Sequence, residues 1–425
     1  MVLSATSIVA VTLVVAVLTL KAMIFVSPHP AGFDFRVFYA AGWMLRHGQD
    51  PYDTKNLMAV LGRVTSAGGI PVPSPFLYVP WFALLMVPFS LLPFWAAYGL
   101  WDALIFTAIA VAAYQWAREL GWKHPGVATA AAALSTIALI NYVMGQVAAL
   151  SFGLLVGVLL AVEAGRPGWA GAIAMTGAVL LPMDLWPLVP LLWIVPRPWR
   201  WAGLRRGLLG EAIALLVLVG APLLIRAGLL GEWIHRLLDF GVKLPFQGEL
   251  VGLPGLVTFA PARWNLSPGL RDPLVGSVAI VGVAVAALLT VGLLRSPMLA
   301  RLRRPRSTGW LLLLPLGIWL LATPYGHIQD VAGVFPLAML ALGTGAAELH
   351  RPSAWLLLMS LLVVPVALTF FSSYFFPPHT LAPLGILVLV IMSGLQLRRE
   401  LADADLSVAA PASGRVATVI GAGRL

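Results

Sequence analysis

Long runs of apolar residues, separated by short polar or basic clusters, fill most of the chain. A helix that crosses a bilayer needs about 20 apolar residues, and shorter apolar helices occur where they are bent or paired. The pattern therefore predicts an all-α polytopic membrane protein with about 12 transmembrane helices, within a range of about 10–13. The predicted spans are 8–26, 95–117, 126–143, 146–163, 169–182, 185–196, 208–225, 274–294, 310–322, 329–346, 354–371 and 380–396.

Two pairs of short predicted helices are joined by tight turns, one at Met144-Gly145 and the other at Met183-Asp184. We interpret residues 1–400 as a single transmembrane domain. Residues 401–425 are small and polar, and we predict a disordered cytoplasmic tail there.

The topology depends on residues 76–93, which are apolar enough to span but contain three prolines. If they span, the basic residues between 118 and 166 fall on the outer side. If they lie along the outer interface, the basic clusters face the cytoplasm, as the positive-inside rule requires. We therefore predict that 76–93 does not span, that both termini are cytoplasmic, and that the protein is a multi-pass protein of the plasma membrane.

Two long segments, 27–94 and 226–273, then lie outside, and both are aromatic-rich and mixed in charge. Long ordered loops usually have a function, so we expect the functional site on this face. Residue spacing predicts juxtamembrane helices in the first segment, including one over 35–47. The sequence LLGEWIHRLLDFGVKL in the second segment predicts an amphipathic surface helix.

The composition agrees with lipid as the solvent, because 60% of residues are hydrophobic and only 10% are charged. A soluble domain has about 25% charged residues. The absence of cysteine excludes disulfides, thiolate metal ligands and cysteine nucleophiles. The net charge of +10 lies in short clusters between apolar runs, which indicates cytoplasmic loops and not nucleic-acid binding.

The start of the first outer segment carries the most promising chemistry. Asp34 follows the first predicted span directly, with Arg36 and Tyr39 close by. Asp34 has two interpretations, as the N-cap of the helix over 35–47 or as a general base that faces the outer leaflet.

Other polar residues lie at the ends of predicted spans, and each has a structural and a functional interpretation. His327, near Gln329 and Asp330, is either a helix-end residue or part of a site. Gln146 either ties off its turn or binds substrate, and Asp184 either caps a helix or serves the site. Asp102 lies inside span 95–117, without an obvious partner in sequence.

An ordered set of short motifs resembles that of the polyprenol-phosphate-mannose-dependent α-mannosyltransferases, which are membrane glycosyltransferases with the GT-C fold. The motifs are DFRVFYAAG at 34–42, DPY at 50–52, YVP at 78–80 with Pro88 and Leu92-Pro93, GQ at 145–146, and TPYGH at 323–327 with Asp330.

The resemblance implies a sugar donor on a polyprenyl phosphate and a lipid or glycan acceptor outside the cell. Asp34 would take the acceptor proton, with inversion at the sugar, and His327 would orient the acceptor. The other residues it implies in substrate binding are Arg36, Tyr39, Tyr78, Gln146, Asp184, Lys243, Gln329 and Asp330. Arg36, Lys243, Arg236 or Arg263 would supply positive charge to the phosphate. No cofactor is expected, and no metal, since the predicted outer segments have no clear Asp-x-Asp or histidine-rich cluster.

The sequence departs from the family pattern at two places. The family often has a lysine where this chain has Met183-Asp184, and a polar stretch where this chain reads FQGEL at 246–250. These departures weaken the expectation of mannose more than that of glycosyl transfer.

Two other classes of function fit a polytopic protein, namely a lipid or glycolipid transporter and a non-catalytic scaffold. Transporters often show internal repeats and charges at mid-membrane. Here no repeat is visible, the predicted spans are nearly free of charge, and polar residues gather on one face. This pattern favours the enzyme.

Overall fold

The computed structural model describes residues 32–64, 75–180, 201–243, 305–323 and most of 386–399, with isolated positions at 189, between 253 and 288, and at 402. Within these residues, all regular secondary structure is helical and no strand occurs. The helices with described bounds are α1 Phe33–Arg46, α2 Thr54–Val64, α3 Pro80–Met86, α4 Phe94–Glu119, α5 Pro125–Ala133, α6 Thr136–Met144, α7 Leu150–Glu163, α8 Pro167–Leu180, α9 Trp201–Ile225, α10 Leu229–Lys243 and α11 Pro305–Ala322.

Two of the described helices are long and apolar enough to cross a membrane, Phe94–Glu119 in α4 and Gly203–Ile225 in α9. Most of their residues are not buried inside the protein; on α9, Leu216 is 73% exposed and Leu224 is 90% exposed. Large apolar side chains on an outer surface are stable against lipid tails and costly in water. The helices predicted over 95–117 and 208–225 are therefore present, with the length and composition of membrane spans.

The full count of about 12 spans stays a prediction. The predicted spans 8–26, 185–196, 329–346 and 354–371 lie outside the described residues, apart from the single position 189, and 274–294 is described at isolated positions. Residues 386–399 are helical where they are described, within and just beyond the span predicted at 380–396.

The helix predicted over 35–47 is α1, and it begins two residues earlier, at Phe33. Gly32 has φ 70°, a left-handed conformation that suits glycine, and it occupies the N-cap position. Asp34 therefore lies within the first turn, so the interpretation of Asp34 as the N-cap is wrong.

Residues 76–93 form a broken element and not one continuous helix. The seven-residue helix α3 rises only about 10 Å, while a bilayer core is about 30 Å thick. A 3₁₀ turn at Phe89–Leu91 follows it. Helix α3 packs on α1 where Gly42 meets the Met86 backbone, because a Cβ on Gly42 would come within 2.5 Å of the Met86 carbonyl carbon.

The span predicted as one helix over 126–143 is instead two helices, α5 and α6. Ser135 has an extended backbone, and its Oγ accepts a hydrogen bond of 3.3 Å from the Ala138 amide. A serine in this role starts a new helix, so α6 begins at Thr136. The correction matters because α6 ends in the Gly145-Gln146 turn, which the sequence did predict.

Helices α8 and α9 cross with their backbones in contact. A Cβ on Gly171 would overlap the Gly207 carbonyl, and a Cβ on Gly210 would overlap the Gly168 carbonyl. Small residues at such spacing let membrane helices approach closely. The turn predicted at Met183-Asp184 lies outside the described residues.

Candidate functional site

The Gly145-Gln146 turn joins α6 to the 3₁₀ turn at Val147–Ala149 and lies against the start of α1. Gly145 has φ 67°, and a Cβ there would come within 2.5 Å of the Phe35 Cβ. Its carbonyl accepts a hydrogen bond of 2.9 Å from Trp101 Nε1 on α4. Glycine is thus required twice, for its conformation and for its lack of a side chain.

The Gln146 side chain bridges two segments that are far apart in sequence. Its Oε1 accepts hydrogen bonds from the Tyr78 hydroxyl (2.9 Å) and from the Val147 amide (2.8 Å). Its Nε2 donates to Asp34 Oδ2 at 3.2 Å. Because two donors meet Oε1, the amide orientation is determined by the network, and the amine end faces the carboxylate.

Asp34 is half-buried in the first turn of α1. The N-terminal end of a helix stabilises negative charge, and so does the amide N–H of Gln146. The structure therefore brings Asp34, Gln146 and Tyr78 together as one cluster. We refer to these three residues as the carboxylate–amide–phenol cluster.

The N-terminus of α1 is fixed to the C-terminal end of α6 by hydrogen bonds. The Gly32 amide donates to the Val143 carbonyl at 2.7 Å. The Tyr98 hydroxyl donates to the carbonyls of Tyr142 (2.6 Å) and Val143 (3.0 Å). The Phe35 ring lies 5.7 Å from the Tyr98 ring and adds an aromatic contact. This framework holds Asp34 beside Gln146.

Asp102 lies one helical turn after Tyr98 on α4 and is half-buried, as its place in a span suggested. Among the described residues, its Oδ1 has no hydrogen-bond partner. The sequence did not single out Tyr98 or Trp101. The sequence feature that could have indicated them is the spacing of three residues, which places both aromatic side chains on the same side of α4.

Arg36 lies on a different face of α1 from Asp34, because two residues correspond to about 200° of helix rotation. It is only 3% exposed, with its guanidinium carbon 4.6 Å from the centre of the Phe94 ring and 5.5 Å from that of Trp95. Burial lowers the pKa of Arg36 from its ordinary value, and the Tyr98 side chain acts in the opposite direction. Its guanidinium stays charged, as arginine does in proteins.

Tyr39 is buried against Phe35 and Phe94, and its hydroxyl donates to the Leu92 carbonyl at 2.7 Å. Burial raises the pKa of Tyr39, so the hydroxyl remains a donor. Substrate binding through this hydroxyl would require that the bond to Leu92 be broken.

The second outer segment contacts the first through α10, which confirms the predicted amphipathic helix. Trp233 Nε1 donates to the Leu77 carbonyl at 2.9 Å. Arg236 donates to the Tyr52 carbonyl from Nε at 3.1 Å and from a terminal nitrogen at 2.6 Å. The two segments that were predicted to lie outside therefore meet next to Tyr78.

The side chains of the remaining candidate residues lie outside the part of the chain that the structure describes. Asp184, His327, Gln329 and Asp330 are outside the described residues, and Lys243 ends α10 with its side chain outside them. Within the described part of the chain, no group of three or more metal-ligating side chains occurs.

Two long apolar helices with exposed side chains suggest a membrane protein, and a polar cluster lies at the end of its short helix α6. The sequence profile of glycosyltransferase family 87 matches residues 76–324, more than half of the 425 residues. The chain belongs to glycosyltransferase family 87, and it is a membrane glycosyltransferase. Neither a curated protein nor a solved structure matches the chain.

The matched region contains Tyr78, Gln146 and Asp184, while Asp34 and His327 lie outside it. Family membership thus establishes that the chain is a glycosyltransferase. Because Asp34 lies outside the matched region, its assignment to the site depends on its hydrogen bond with Gln146.

Proposed function

We propose that the enzyme transfers a sugar, mannose by preference, from a polyprenyl phosphate to a hydroxyl group of an extracytoplasmic lipid or glycan. Membership of a membrane glycosyltransferase family supports this proposal, and so does a polar cluster beside α4, which is long enough to span. A lipid-linked donor reaches such a site from the bilayer. Outside the cell, no nucleotide sugar would be at hand.

In the proposed reaction, the acceptor oxygen attacks the anomeric carbon as the bond from that carbon to the phosphate oxygen breaks. The acceptor proton passes to the Asp34 carboxylate, and polyprenyl phosphate leaves as the anion. The configuration at the anomeric carbon is inverted. A positioned base contributes about 10²–10⁴-fold to such a step.

The observation that carries the proposal is the hydrogen bond from Gln146 Nε2 to Asp34 Oδ2. It fixes the orientation of the carboxylate, and its direction cannot reverse without loss of the contacts from Tyr78 and Val147 to Oε1. A base held by a buried amide is pre-organised for proton transfer. The transporter and scaffold hypotheses require no such group, and family membership favours neither.

The other site residues take these proposed roles. Arg36 and Lys243 stabilise the phosphate that leaves, since charge-assisted hydrogen bonds are the strong ones for phosphate. His327 orients the acceptor, with its tautomer set by Asp330, while Gln329 and Asp184 complete the substrate site. The reaction needs no cofactor and no metal in this scheme, and the site faces the outside of the plasma membrane with both termini in the cytoplasm.

The test uses purified protein in nanodiscs with a panel of radiolabelled polyprenyl-phosphate sugars and a membrane-lipid extract as acceptor. We expect Asp34→Asn to lower transfer by about 10²–10⁴-fold. The matched control is Asp53→Asn, which makes the same change in the same outer segment. Asp53 accepts from the Asn56 amide at the start of α2, and asparagine caps helices as well as aspartate does.

Each outcome has a definite meaning. Transfer by the wild type that is lost only in Asp34→Asn supports both the donor class and the base. Undiminished transfer by Asp34→Asn would contradict the role of Asp34. No transfer from any polyprenyl-phosphate donor by the folded wild type would contradict the donor class.

A further inference from the structure

A continuous series of hydrogen bonds connects α10 to the Asp34 carboxylate. Arg236 donates two hydrogen bonds to the Tyr52 carbonyl, and the Tyr52 hydroxyl donates to the Tyr78 carbonyl at 2.8 Å. The Tyr78 hydroxyl then donates to Gln146, whose amide donates to Asp34. The series joins five residues that are each at least 18 positions from the next in the sequence.

The first contact in the series places an arginine fork on a neutral acceptor. An arginine fork is most often directed at a carboxylate or a phosphate, with which it forms two parallel bonds. Here both nitrogens bond one neutral backbone carbonyl, while the nearby Glu232 carboxylate accepts from Arg226 at 2.6 Å. The Arg236 side chain is thereby used to fix the position of Tyr52.

Tyr52 transmits this position because it cannot move independently. Its side chain is 2% exposed, with the Phe76 ring 5.6 Å away. Burial raises the pKa of the Tyr52 hydroxyl, with the Asp50 and Glu232 carboxylates acting in the same direction. The hydroxyl therefore stays protonated and keeps its bond to the Tyr78 carbonyl.

We infer that Arg236 is a positioning residue for glycosyl transfer, which acts through Tyr52 and Tyr78 to hold the Gln146 amide against Asp34. The inference rests on the proposed function, since it takes Asp34 as the base. It also assigns a role to α10, which contacts the segment that carries Tyr52 and Tyr78.

The test measures transfer kinetics of Arg236→Gln and Arg236→Lys in nanodiscs, with Arg63→Gln as the matched control. Arg63 is an exposed arginine on α2 of the same outer face, and no hydrogen bond of the series involves it. We expect Arg236→Gln to lower kcat by about two- to fivefold with little change in KM, because Arg236 acts through the Tyr78 hydroxyl, whose bond to Gln146 of about 1 kcal/mol corresponds to about a fivefold loss. Arg236→Lys keeps one charged donor and should recover part of kcat.

A double-mutant cycle with Tyr78→Phe identifies the route. If Arg236 acts through Tyr78, the loss in kcat of the double variant is smaller than the product of the two single losses. Losses that multiply, or a kcat of folded Arg236→Gln equal to that of Arg63→Gln, would overturn the inference. If Arg236→Gln does not fold, the same cycle with Arg236→Lys decides between these outcomes.

Failure of this inference can be told apart from failure of the proposed function. Loss of transfer in Asp34→Asn together with normal kcat in Arg236→Gln contradicts the inference alone. Normal transfer in Asp34→Asn contradicts the proposed base, whatever the Arg236 variants show.

Discussion

The side-chain amide of Gln146 donates a hydrogen bond of 3.2 Å to the Asp34 carboxylate, across 112 positions of the sequence. This contact joins the first turn of α1 to the turn that follows α6. A reaction at this contact depends on the exact positions of both the helix and the turn, and the following predictions test that dependence.

Gln146→Glu should abolish most of the activity while the protein still folds. Glutamate has nearly the shape of glutamine, and its oxygen still accepts from Tyr78 and Val147. It loses the donor to Asp34 and places a second negative charge about 3 Å away, which disfavours two ionised carboxylates. We expect a loss in kcat of about 10²-fold, measured as label transfer. Gln49→Glu, at an exposed position of the first outer segment, should have normal kcat.

Removal of the hydroxyl should affect activity at Tyr78 and stability at Tyr39. Tyr78→Phe removes one of the two donors to Gln146 Oε1, and a hydrogen bond of about 1 kcal/mol corresponds to about a fivefold loss in kcat. Tyr39→Phe removes the bond to the Leu92 carbonyl and should lower the thermal unfolding midpoint, with kcat and KM retained. A raised KM in Tyr39→Phe would instead support the role in substrate binding that the family resemblance implies for Tyr39.

Gly145→Ala should destabilise the site far more than the same change at Gly165. Both glycines have positive φ, so alanine at either costs about 1–2 kcal/mol of backbone strain. At Gly145 the new Cβ also meets the Phe35 Cβ at 2.5 Å, while at Gly165 nothing lies within 4 Å. We expect Gly145→Ala to lower both the unfolding midpoint and transfer, with Gly165→Ala near wild type in transfer. Equal effects of the two changes would show that strain alone, and not the contact with α1, matters.

The contact of α10 with the first outer segment should weaken as pH rises. Burial raises the pKa of Glu232, the Asp50 carboxylate raises it further, and Arg226 opposes them. A carboxyl whose pKa is raised by folding contributes stability at low pH that is lost as pH increases through the folded-state pKa. The window therefore begins near the ordinary glutamate value of about 4.3 and extends upward.

The measurement for this prediction is hydrogen exchange of the α10 amides between about pH 4 and pH 7, corrected for the intrinsic rate. We expect protection to fall with pH in the wild type and to stay level in Glu232→Gln. Protection that increases with pH in the wild type would show that the ion pair with Arg226 outweighs burial.

Much of the architecture could be predicted because it depends on local patterns. Apolar runs predicted α4 and α9, and the alternation of charged and apolar residues predicted α10. The Gly145-Gln146 turn was also predicted correctly. The break at Ser135 was missed, because an apolar run of 18 residues hides a single capping hydroxyl, whose effect depends on the extended backbone it adopts.

The sequence by itself indicated lipid as the solvent, the helical secondary structure and the candidate polar residues, since each depends on one residue and its near neighbours. Only the tertiary structure decided that Gln146 faces Asp34, that Arg36 lies on another face among aromatic rings, and that α10 reaches Tyr52. The physical reason is that periodicity reports which face of a helix is apolar, while the identity of the neighbouring helix depends on close fits such as Gly42 on Met86 and Gly145 on Phe35. Such fits involve residues far apart in the chain, so the periodicity of neither helix predicts them.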